Sequence, residues 1–242
     1  MSAELPMGEA AANDGFGPVD YAPLSRIQQI GGARLHAAWT QIPHVTHFEE
    51  ADVTAIEAER KRLNVAGGEP RLTLLAWVAR ATILALAEHP RFCASFDVDQ
   101  RRLVLKRYVN LGIAVEAPAG LLVGVIAGAE RLDLAGLGAA IADLAQRGRA
   151  GRLKPSEMEG SCFTISSLGN LGGTGFTPII NPPDVAILGI SPARERPAWI
   201  DGRTEPRLVM PLSLSYDHRV INGAEAARFC TFLRERLAGA RP

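Results

Sequence analysis

The segment that decides the fold runs from residue 208 to residue 223 and reads Leu208-Val209-Met210-Pro211-Leu212-Ser213-Leu214-Ser215-Tyr216-Asp217-His218-Arg219-Val220-Ile221-Asn222-Gly223. Large apolar side chains occupy every second position from 208 to 216, which predicts a half-buried strand. Since Pro211 has no backbone N–H to donate, we expect a bulge or a sheet edge there. Asn222 and Glu225 resemble a capping box, so a helix is predicted to begin directly after Asn222.

This pattern places a histidine between the end of a strand and the start of a helix. The imidazole pKa lies near neutrality, so His218 in such a loop can remove a proton and return it within one catalytic cycle. The residues alone also allow a simpler interpretation, in which Asp217 and Arg219 form a surface ion pair and His218 is an ordinary loop residue. Asn222 is likewise fully explained as a helix N-cap.

The rest of the chain mixes predicted helices and strands without strict alternation. Helices are predicted to begin near Ser25, at Thr54 (which would form a capping box with Glu57), near Leu72 and after Asp133. Strands are predicted over 44–49, 161–167 and 185–190, and over 108–126 as a hairpin divided at 117–120. Together these patterns predict an α/β protein with a largely mixed sheet.

Composition excludes several classes of protein. The 242 residues carry 26 basic and 26 acidic side chains, and a net charge of zero argues against a nucleic-acid module. An apolar fraction of 47% excludes disorder of the whole chain. The charge-free stretch 117–129 is too short to cross a membrane, and the stretch 161–183 is rich in Gly, Pro, Ser and Asn, so no membrane association is predicted.

The three cysteines, Cys93, Cys162 and Cys230, form neither a disulfide framework nor a CxxC site. Their odd number and wide spacing predict a reducing, cytoplasmic location. The first 20 residues have no apolar segment typical of a secretion signal. We therefore expect residues 1–20 to be a flexible linker remnant and residues 21–242 to form one folded domain.

Asp217-His218-Arg219-x-x-x-Gly223 resembles the active-site signature of the dihydrolipoamide acyltransferases of 2-oxo acid dehydrogenase complexes. Three other stretches match in the family's order, namely Pro43-His44-Val45-Thr46-His47-Phe48, Phe163-Thr164-Ile165-Ser166-Ser167-Leu168-Gly169 and Ala186-Ile187-Leu188-Gly189. The likeness covers roughly residues 21–237 and is greatest to the acetyl-transferring members, those of bacterial pyruvate dehydrogenase. It implies the two-layer fold of chloramphenicol acetyltransferase, with a mixed β-sheet packed against helices.

The resemblance also implies a reaction and its residues. An acyl group would pass between the thiols of coenzyme A and dihydrolipoamide, with His218 as the general base that activates the attacking thiol. Ser166 would stabilise the oxyanion of the tetrahedral intermediate, although by itself it is an ordinary strand serine. Many relatives have Asp at the position of Asn222. An amide cannot stabilise an imidazolium electrostatically, so Asn222 is expected only to position neighbouring groups.

The Gly-rich stretch 169–176 contains neither GxGxxG nor GxxxxGK[ST], so it is not predicted to bind a nucleotide phosphate. The resemblance places this stretch beside a substrate channel and implies that Gly173, Thr174, Phe176 and Leu188 contact the substrate. His44 and His47 are three residues apart on a predicted strand and would point to opposite faces, so no metal site is expected.

The family's partners follow from the same resemblance. The active site would lie between subunits of a homotrimer, with His218 and Asn222 from one chain and Ser166 from the next. The lipoyl group would be delivered by a lipoyl domain that this chain does not contain, and the other dehydrogenase-complex subunits would bind the core. Because the last five residues carry no bulky aliphatic side chain, we expect a trimer without a closed cage.

Two other functions remain open from the sequence. The same fold could transfer an acyl group to another small acceptor, although the chloramphenicol enzymes usually carry a second histidine where this chain has Asp217. The chain could also be a core scaffold with reduced catalysis, since the hairpin Glu116-Ala117-Pro118-Ala119-Gly120-Leu121-Leu122-Val123-Gly124-Val125 lacks the second proline and the threonine common in the family.

Overall fold

The computed structural model describes residues 12–67, 71–117, 120–169 and 171–239. The helices in this part of the chain are α1 Arg26–Gln41, α2 Thr54–Val65, α3 Leu74–Glu88, α4 Leu134–Arg149 and α5 Gly223–Ala238. The strands are β1 Ala12–Asn13, β2 Pro18–Val19, β3 His44–Asp52, β4 Ala94–Asp97, β5 Arg102–Leu105, β6 Leu111–Ala117, β7 Gly120–Ile126, β8 Phe163–Ser167, β9 Ala186–Ile190, β10 Arg194–Ile200 and β11 Arg203–Asp217. Three short 3₁₀ helices cover Pro90–Phe92, Ala129–Arg131 and Pro155–Glu157.

A seven-stranded sheet organises the molecule. Its strands follow the order β10-β11-β9-β8-β6-β7, and β3 pairs with β11 along the other edge of that strand. The pairs β6–β8 and β8–β9 are parallel, whereas the other pairs in this sheet are antiparallel. The predicted α/β class with a mixed sheet is confirmed.

Strand β11 differs from its prediction. Every residue from Met210 to Asp217 is buried, so this half of the strand is fully rather than half buried. Partner strands cover both of its edges, because β3 pairs along one side and β9 followed by β10 along the other. Between β9 and β10, the three residues 191–193 lie opposite only two residues of β11, Met210 and Pro211. The pairing with β11 is therefore interrupted at Pro211, which has no backbone N–H to donate. The predicted bulge is therefore present within an interior strand.

The two faces of the sheet are covered by different elements. Phe163 of β8 packs against Phe229 of α5, with ring centroids 5.8 Å apart, on the face that also carries α3 and α4. Ile187 of β9 points to the opposite face, where it packs with Ala38 and Ile42 at the end of α1. The sheet thus separates a large helical core from a second, smaller apolar cluster.

Most predicted helix starts are confirmed. Ser25, Thr73 and Asp133 cap α1, α3 and α4 through their side chains, and Asn222 forms the predicted capping box of α5. The capping box predicted at Thr54 is wrong, because Val53 precedes α2 and no side chain caps that helix.

The Thr54 hydroxyl is used in another way. It donates to Asp52 Oδ1 at 2.5 Å and accepts from the Leu208 backbone N–H at 2.8 Å. Thr54 therefore ties the start of α2 to β11, a long-range contact that competes with the local capping pattern.

Some predictions concern residues outside the described ranges. The predicted division of the hairpin at 117–120 includes residues 118–119, which lie outside the described ranges, as do the last three residues, 240–242. Residues 12–13 and 18–19 of the predicted linker form the small β1–β2 pair. The division into a linker and a catalytic domain at residue 20 stays a prediction.

The three cysteines are all free and buried. The Cys93 and Cys162 Sγ atoms lie 3.1 Å apart, although the two residues are far apart in sequence. Within the described ranges, the helices are too short or too polar to cross a membrane.

Candidate active site

His218 lies on a turn that leaves the end of β11. Its backbone N–H donates to the Pro43 carbonyl at 3.1 Å, just before β3 begins. The side chain is exposed, and its ring lies 5.8 Å from the ring of the buried Tyr216. The backbone of this turn is thus fixed to the sheet while the imidazole remains accessible.

Asp217 and Arg219 flank the histidine and form a close ion pair. The guanidinium donates from Nε and Nη2 to both carboxylate oxygens, with the shortest distance, 2.6 Å, between Nη2 and Oδ2. These hydrogen bonds raise the pKa of Arg219. The ion pair of the simpler sequence interpretation is therefore present, but Asp217 is only 2% exposed, so one of its two partners is buried. The pair closes the turn around His218.

Asn222 has the role that its capping pattern predicts. Its Oδ1 accepts from the Glu225 N–H at 3.0 Å, and the Glu225 carboxylate accepts from the Asn222 N–H at 3.0 Å. Because Asn222 lies four residues after His218, this cap fixes the far end of the same loop.

Ser166 lies on β8, in the interior of the sheet. It is half buried and pairs with Gly189 of β9, which in turn pairs with Ser213 of β11. Residues that pair directly across neighbouring strands project to the same face of a sheet. Ser166 therefore faces the α1 side of the sheet, opposite the large helical core.

Phe176 covers the neighbouring glycine. A Cβ atom at Gly189 would lie only 2.7 Å from Phe176 Cζ, so the ring occupies the space that a side chain would need. Phe176 is also held by its backbone N–H, which donates to Ser213 Oγ at 3.5 Å. The aromatic ring consequently lies one strand away from Ser166, on the same face.

Two clefts flank this part of the sheet. The first, of about 550 Å³, is lined by Phe48, Glu49, Glu50, Thr174, Gly175, Phe176, Pro211 and Leu212. The second, of about 620 Å³, is lined on one side by the residues that follow Ser166, namely Ser167, Leu168 and Gly169, and also by Glu116 and Arg149.

The four predicted substrate-contacting residues lie in different places. Thr174 and Phe176 line the first cleft. Gly173 is exposed but does not line it. Leu188 is fully buried in the helical core, so its side chain has no surface that a substrate could reach in this chain. The motif that contains Leu188 alternates between the two faces of β9, and Leu188 points to the core face.

A buried carboxyl that the sequence did not reveal contacts β8 at Thr164, two residues before Ser166. The Asp184 carboxylate accepts from Ser161 Oγ at 2.9 Å and from Thr164 Oγ1 at 2.6 Å, and Asp184 is 3% exposed. Burial raises the pKa of Asp184 to about 7, although the two hydroxyl donors act to lower it. An acidic residue directly before an unbroken apolar strand was the sequence signal for this site.

His44 has both ring nitrogens in hydrogen bonds. Nε2 accepts from the Ile180 backbone N–H at 3.0 Å, and Nδ1 consequently donates to the Ile42 carbonyl at 2.8 Å. His44 thus links α1 and β3 to the segment before β9. Within the described ranges, no three His, Cys, Asp or Glu side chains are grouped so as to hold a metal ion.

One chain does not bring Ser166 and His218 together. The register places Ser166 level with Ser213, two strands away, which is about 10 Å across the sheet. His218 lies five residues further along β11, which adds roughly 17 Å along the strand direction. Hydrogen bonding of both side chains to one reacting group is therefore impossible within a single chain.

Comparison with known proteins decides the family. A family model described as 2-oxoacid dehydrogenases acyltransferase (catalytic domain) matches residues 17–241. This chain belongs to that family. The resemblance noted in the sequence is thus confirmed for nearly the whole chain.

Curated relatives in this acyltransferase family share almost half of the sequence. The dihydrolipoyllysine-residue acetyltransferase component of the pyruvate dehydrogenase complex from Cupriavidus necator is 49% identical over 228 residues. The corresponding component from Pseudomonas aeruginosa is 48% identical over 228 residues. Both alignments cover 93% of this chain but only 41% and 42% of those proteins, so the chain spans about two fifths of their length.

Solved structures confirm the acyltransferase fold. Dihydrolipoamide acetyltransferase of Azotobacter vinelandii superposes with a TM-score of 0.88 at 45% identity, covering 96% of this chain and 97% of that one. A cubic core of the pyruvate dehydrogenase multienzyme complex gives the same TM-score at 46% identity, with the same coverage. Chloramphenicol acetyltransferase gives 0.55 at 16% identity, covering 85% of this chain and 94% of that one, which shows that the fold is shared.

Proposed function

We propose that this chain transfers an acetyl group between dihydrolipoamide and coenzyme A as the catalytic core of a 2-oxo acid dehydrogenase complex. His218 acts as the general base, Ser166 stabilises the oxyanion and Asn222 positions the loop that carries His218. The observation that carries the proposal is the exposed His218 imidazole on a loop fixed at both ends, in a chain of this family.

The chemistry requires a base at this position. A thiol with a pKa of about 8.5 is mostly protonated at neutral pH, while only the thiolate attacks a thioester carbonyl efficiently. His218 would take the thiol proton as attack proceeds and return it to the departing thiolate as the intermediate collapses. The Ser166 hydroxyl would donate to the oxyanion, so that one residue handles the proton and the other the developing charge.

The spacing of the three residues supports the assignment. The Azotobacter vinelandii structure comes from an investigation of the roles of a serine, a histidine and an asparagine in that enzyme's catalytic mechanism. There the serine precedes the histidine by 52 positions and the asparagine follows it by four. Ser166, His218 and Asn222 have the same two spacings here. Four residues after the histidine, both proteins have Asn.

The assembly that we propose is a homotrimer in which His218 of one subunit meets Ser166 of the next. The separation of the two residues within one chain supports a shared site. Helix α1 also leaves large apolar side chains exposed, among them Ile27, Ile30, Leu35 and Trp39. Such a surface favours contact with another subunit.

The acyl group and the other partners belong to the same proposal. Acetyl is favoured because relatives at 49% and 48% identity are acetyltransferase components, whereas a branched-chain component from Pseudomonas aeruginosa is 42% identical over 219 residues. A lipoyl domain from outside the 242 residues would deliver the lipoyl group, and the dehydrogenase subunits would bind the core. The location that we propose is the bacterial cytoplasm.

A transfer assay with acetyl-coenzyme A and dihydrolipoamide tests the proposal. His218→Ala should lower kcat by about 10⁴-fold, the upper end of the range for general acid–base catalysis. Asp99→Ala, which removes an exposed side chain in the turn between β4 and β5, is the control and should retain activity. Light scattering should give about three times the chain mass of 25.9 kDa for both variants, and the mass of a closed cage would contradict the proposed trimer.

The alternatives predict other results. Near-normal transfer by His218→Ala would reject the proposed mechanism. Faster acetyl transfer to hydroxyl acceptors than to dihydrolipoamide would favour a different small-molecule acceptor, and succinyl- or isobutyryl-coenzyme A as better donors would change the acyl group. Calorimetric titration with coenzyme A that gives no binding heat would favour a scaffold without catalysis.

A further inference from the structure

Arg91 makes two long-range contacts with the loop that carries His218. It belongs to the 3₁₀ helix Pro90–Phe92, which follows α3 and lies well over 100 residues before that loop. Its Nη2 atom donates a short hydrogen bond to the Val220 carbonyl, and its Nε atom lies 2.9 Å from Glu225 Oε1. One guanidinium therefore contacts both the middle of the loop and the first turn of α5.

The second contact reaches Asn222 through a shared carboxylate. Glu225 Oε1 forms an ion pair with Arg91 Nε at 2.9 Å, and Glu225 Oε2 accepts a hydrogen bond from the Asn222 backbone N–H at 3.0 Å. Bonding both oxygens fixes the orientation of the carboxylate, and with it the end of the loop. Arg91 thus acts on the loop at Val220, two residues after His218, and at Asn222, four residues after it.

The same segment supports the other side of His218. The Phe96 ring lies under the Arg219 guanidinium, whose central carbon is 5.0 Å from the ring centroid. Arg219 also holds both oxygens of the buried Asp217. We call residues 91–96 the bracing segment. It contacts Arg219 and Val220, which follow His218, and Arg219 in turn holds Asp217, which precedes His218.

The bracing segment is itself fixed by the core. Phe92 is 1% exposed and stacks on Phe229 of α5, with ring centroids 4.3 Å apart. Cys93 and Ala94 are also buried. Since interiors are packed as densely as crystals, the backbone that presents Arg91 has little freedom to move. The Arg91 side chain is half exposed, so we expect its contacts to contribute more to loop geometry than to stability.

We propose that Arg91 is a positioning residue for His218, holding the 218–222 loop in the conformation from which the imidazole reaches the attacking thiol. The proposal rests on the function proposed for His218. Arg91 contacts Val220 and Glu225 of this chain, and no contact between Arg91 and the substrate is proposed.

Kinetic constants for acetyl transfer test this role. Arg91→Ala should lower kcat by about 10- to 100-fold, the size of effect that small misplacements of catalytic groups produce. The KM values for acetyl-coenzyme A and dihydrolipoamide should change less than twofold, since the substrate-lining residues are untouched. Arg91→Lys should lose less activity, because an ammonium can still bond one of the two acceptors.

A control and a double variant separate positioning from folding. Arg102→Ala removes an exposed arginine that pairs with Asp97 beyond the bracing segment, and it should keep the wild-type kcat. In a His218→Ala background, adding Arg91→Ala should leave the residual rate unchanged, because there is no imidazole left to position. Subunit mass should match for all variants, and the melting temperature of the Arg91 variants should fall by no more than about 4 °C, the shift that a loss of about 1 kcal/mol produces in a chain of this size.

The outcomes distinguish this inference from the proposed function. If His218→Ala is inactive while Arg91→Ala keeps full kcat, Arg91 has no positioning role and the function still stands. An equal loss for Arg91→Ala with and without His218 would show a merely structural effect and also overturn the inference. Activity in His218→Ala itself would reject the proposed function.

Discussion

Ser166 lies within the sheet and His218 lies on the turn that follows its strand β11, and the two regions are held in place by different interactions. Around Ser166, β8 and β9 are joined by backbone hydrogen bonds, and the Phe176 ring fills the space above Gly189. Around His218, the loop is held by ion pairs, a helix cap and single backbone hydrogen bonds. The serine region is a packed interior, whereas the histidine region is a polar surface.

This difference indicates which changes each region can accept. A packed region responds to volume and to buried charge, since neither can be relieved by solvent. A polar loop responds to the loss of individual hydrogen-bonding partners, each of which contributes about 1 kcal/mol. The separation also suits the proposed roles, because an oxyanion donor needs a fixed position while the base must remain accessible to a thiol.

The largest effect is expected from the buried carboxyl on the serine side. The folded chain keeps the Asp184 proton up to about pH 7, whereas the unfolded chain releases it near the ordinary pKa of 3.8. Stability should therefore fall as pH rises from about 4 to about 7, by an amount on the order of 4 kcal/mol. In Asp184→Asn, the amide imitates the protonated carboxyl, so this fall in stability between about pH 4 and about pH 7 should be absent. Urea unfolding at a series of pH values measures it.

The control for this experiment is Asp99→Asn, which changes an exposed aspartate and should keep the wild-type pH dependence. Parallel stability profiles for Asp184→Asn and the wild type would show that Asp184 is ionised in the folded chain. The inference that burial keeps Asp184 protonated in the folded chain would then be wrong.

The next effect concerns the two adjacent serines of β8. Ser166→Ala should lower kcat by about 100-fold, the loss expected when an oxyanion donor is removed. Ser167→Ala is the matched control, because successive strand residues face opposite sides of the sheet and Ser167 Oγ instead accepts from the Gly169 N–H at 3.2 Å. Equal rates for the two variants in the transfer assay would remove Ser166 from the mechanism.

A smaller effect tests the packing above the serine region. Gly189→Ala places a methyl group against the Phe176 ring and should reduce the free energy of unfolding by about 2 kcal/mol. Gly32→Ala, in exposed helix α1 with open space around it, should instead raise stability by up to about 1 kcal/mol. Thermal unfolding measures the stability of both variants. If Gly189→Ala were as stable as Gly32→Ala, the Phe176 ring would not fill the space above Gly189 as described.

The smallest effect tests the cap on the histidine side. Asn222→Ala should lower the free energy of unfolding by about 1 kcal/mol, because α5 loses its N-cap. Asn222→Asp keeps a capping oxygen and should retain the stability of the wild type. Chemical denaturation that showed the same loss for both variants would mean that the cap is not what Asn222 contributes.

Much of the fold could be predicted from the sequence because the signals are local. Local sequence patterns predicted α3, α4 and α5, and the side chains of Asp133 and Asn222 identified where α4 and α5 begin. The motif around His218 predicted its loop, and this part of the site needed only neighbours within a few residues. Thr54 shows the limit, since its hydroxyl bonds to Leu208 rather than capping the adjacent helix.

The sequence by itself determined the family, the mixed α/β class, the histidine loop and the cap that ends it, since each depends on residue types at short spacing. Only the tertiary structure decided that Asp217 and Asp184 are buried, that Leu188 faces the core, and that Arg91 reaches the histidine loop. The same holds for the separation of Ser166 from His218. These properties depend on strand register and on contacts between distant segments, which local periodicity does not encode.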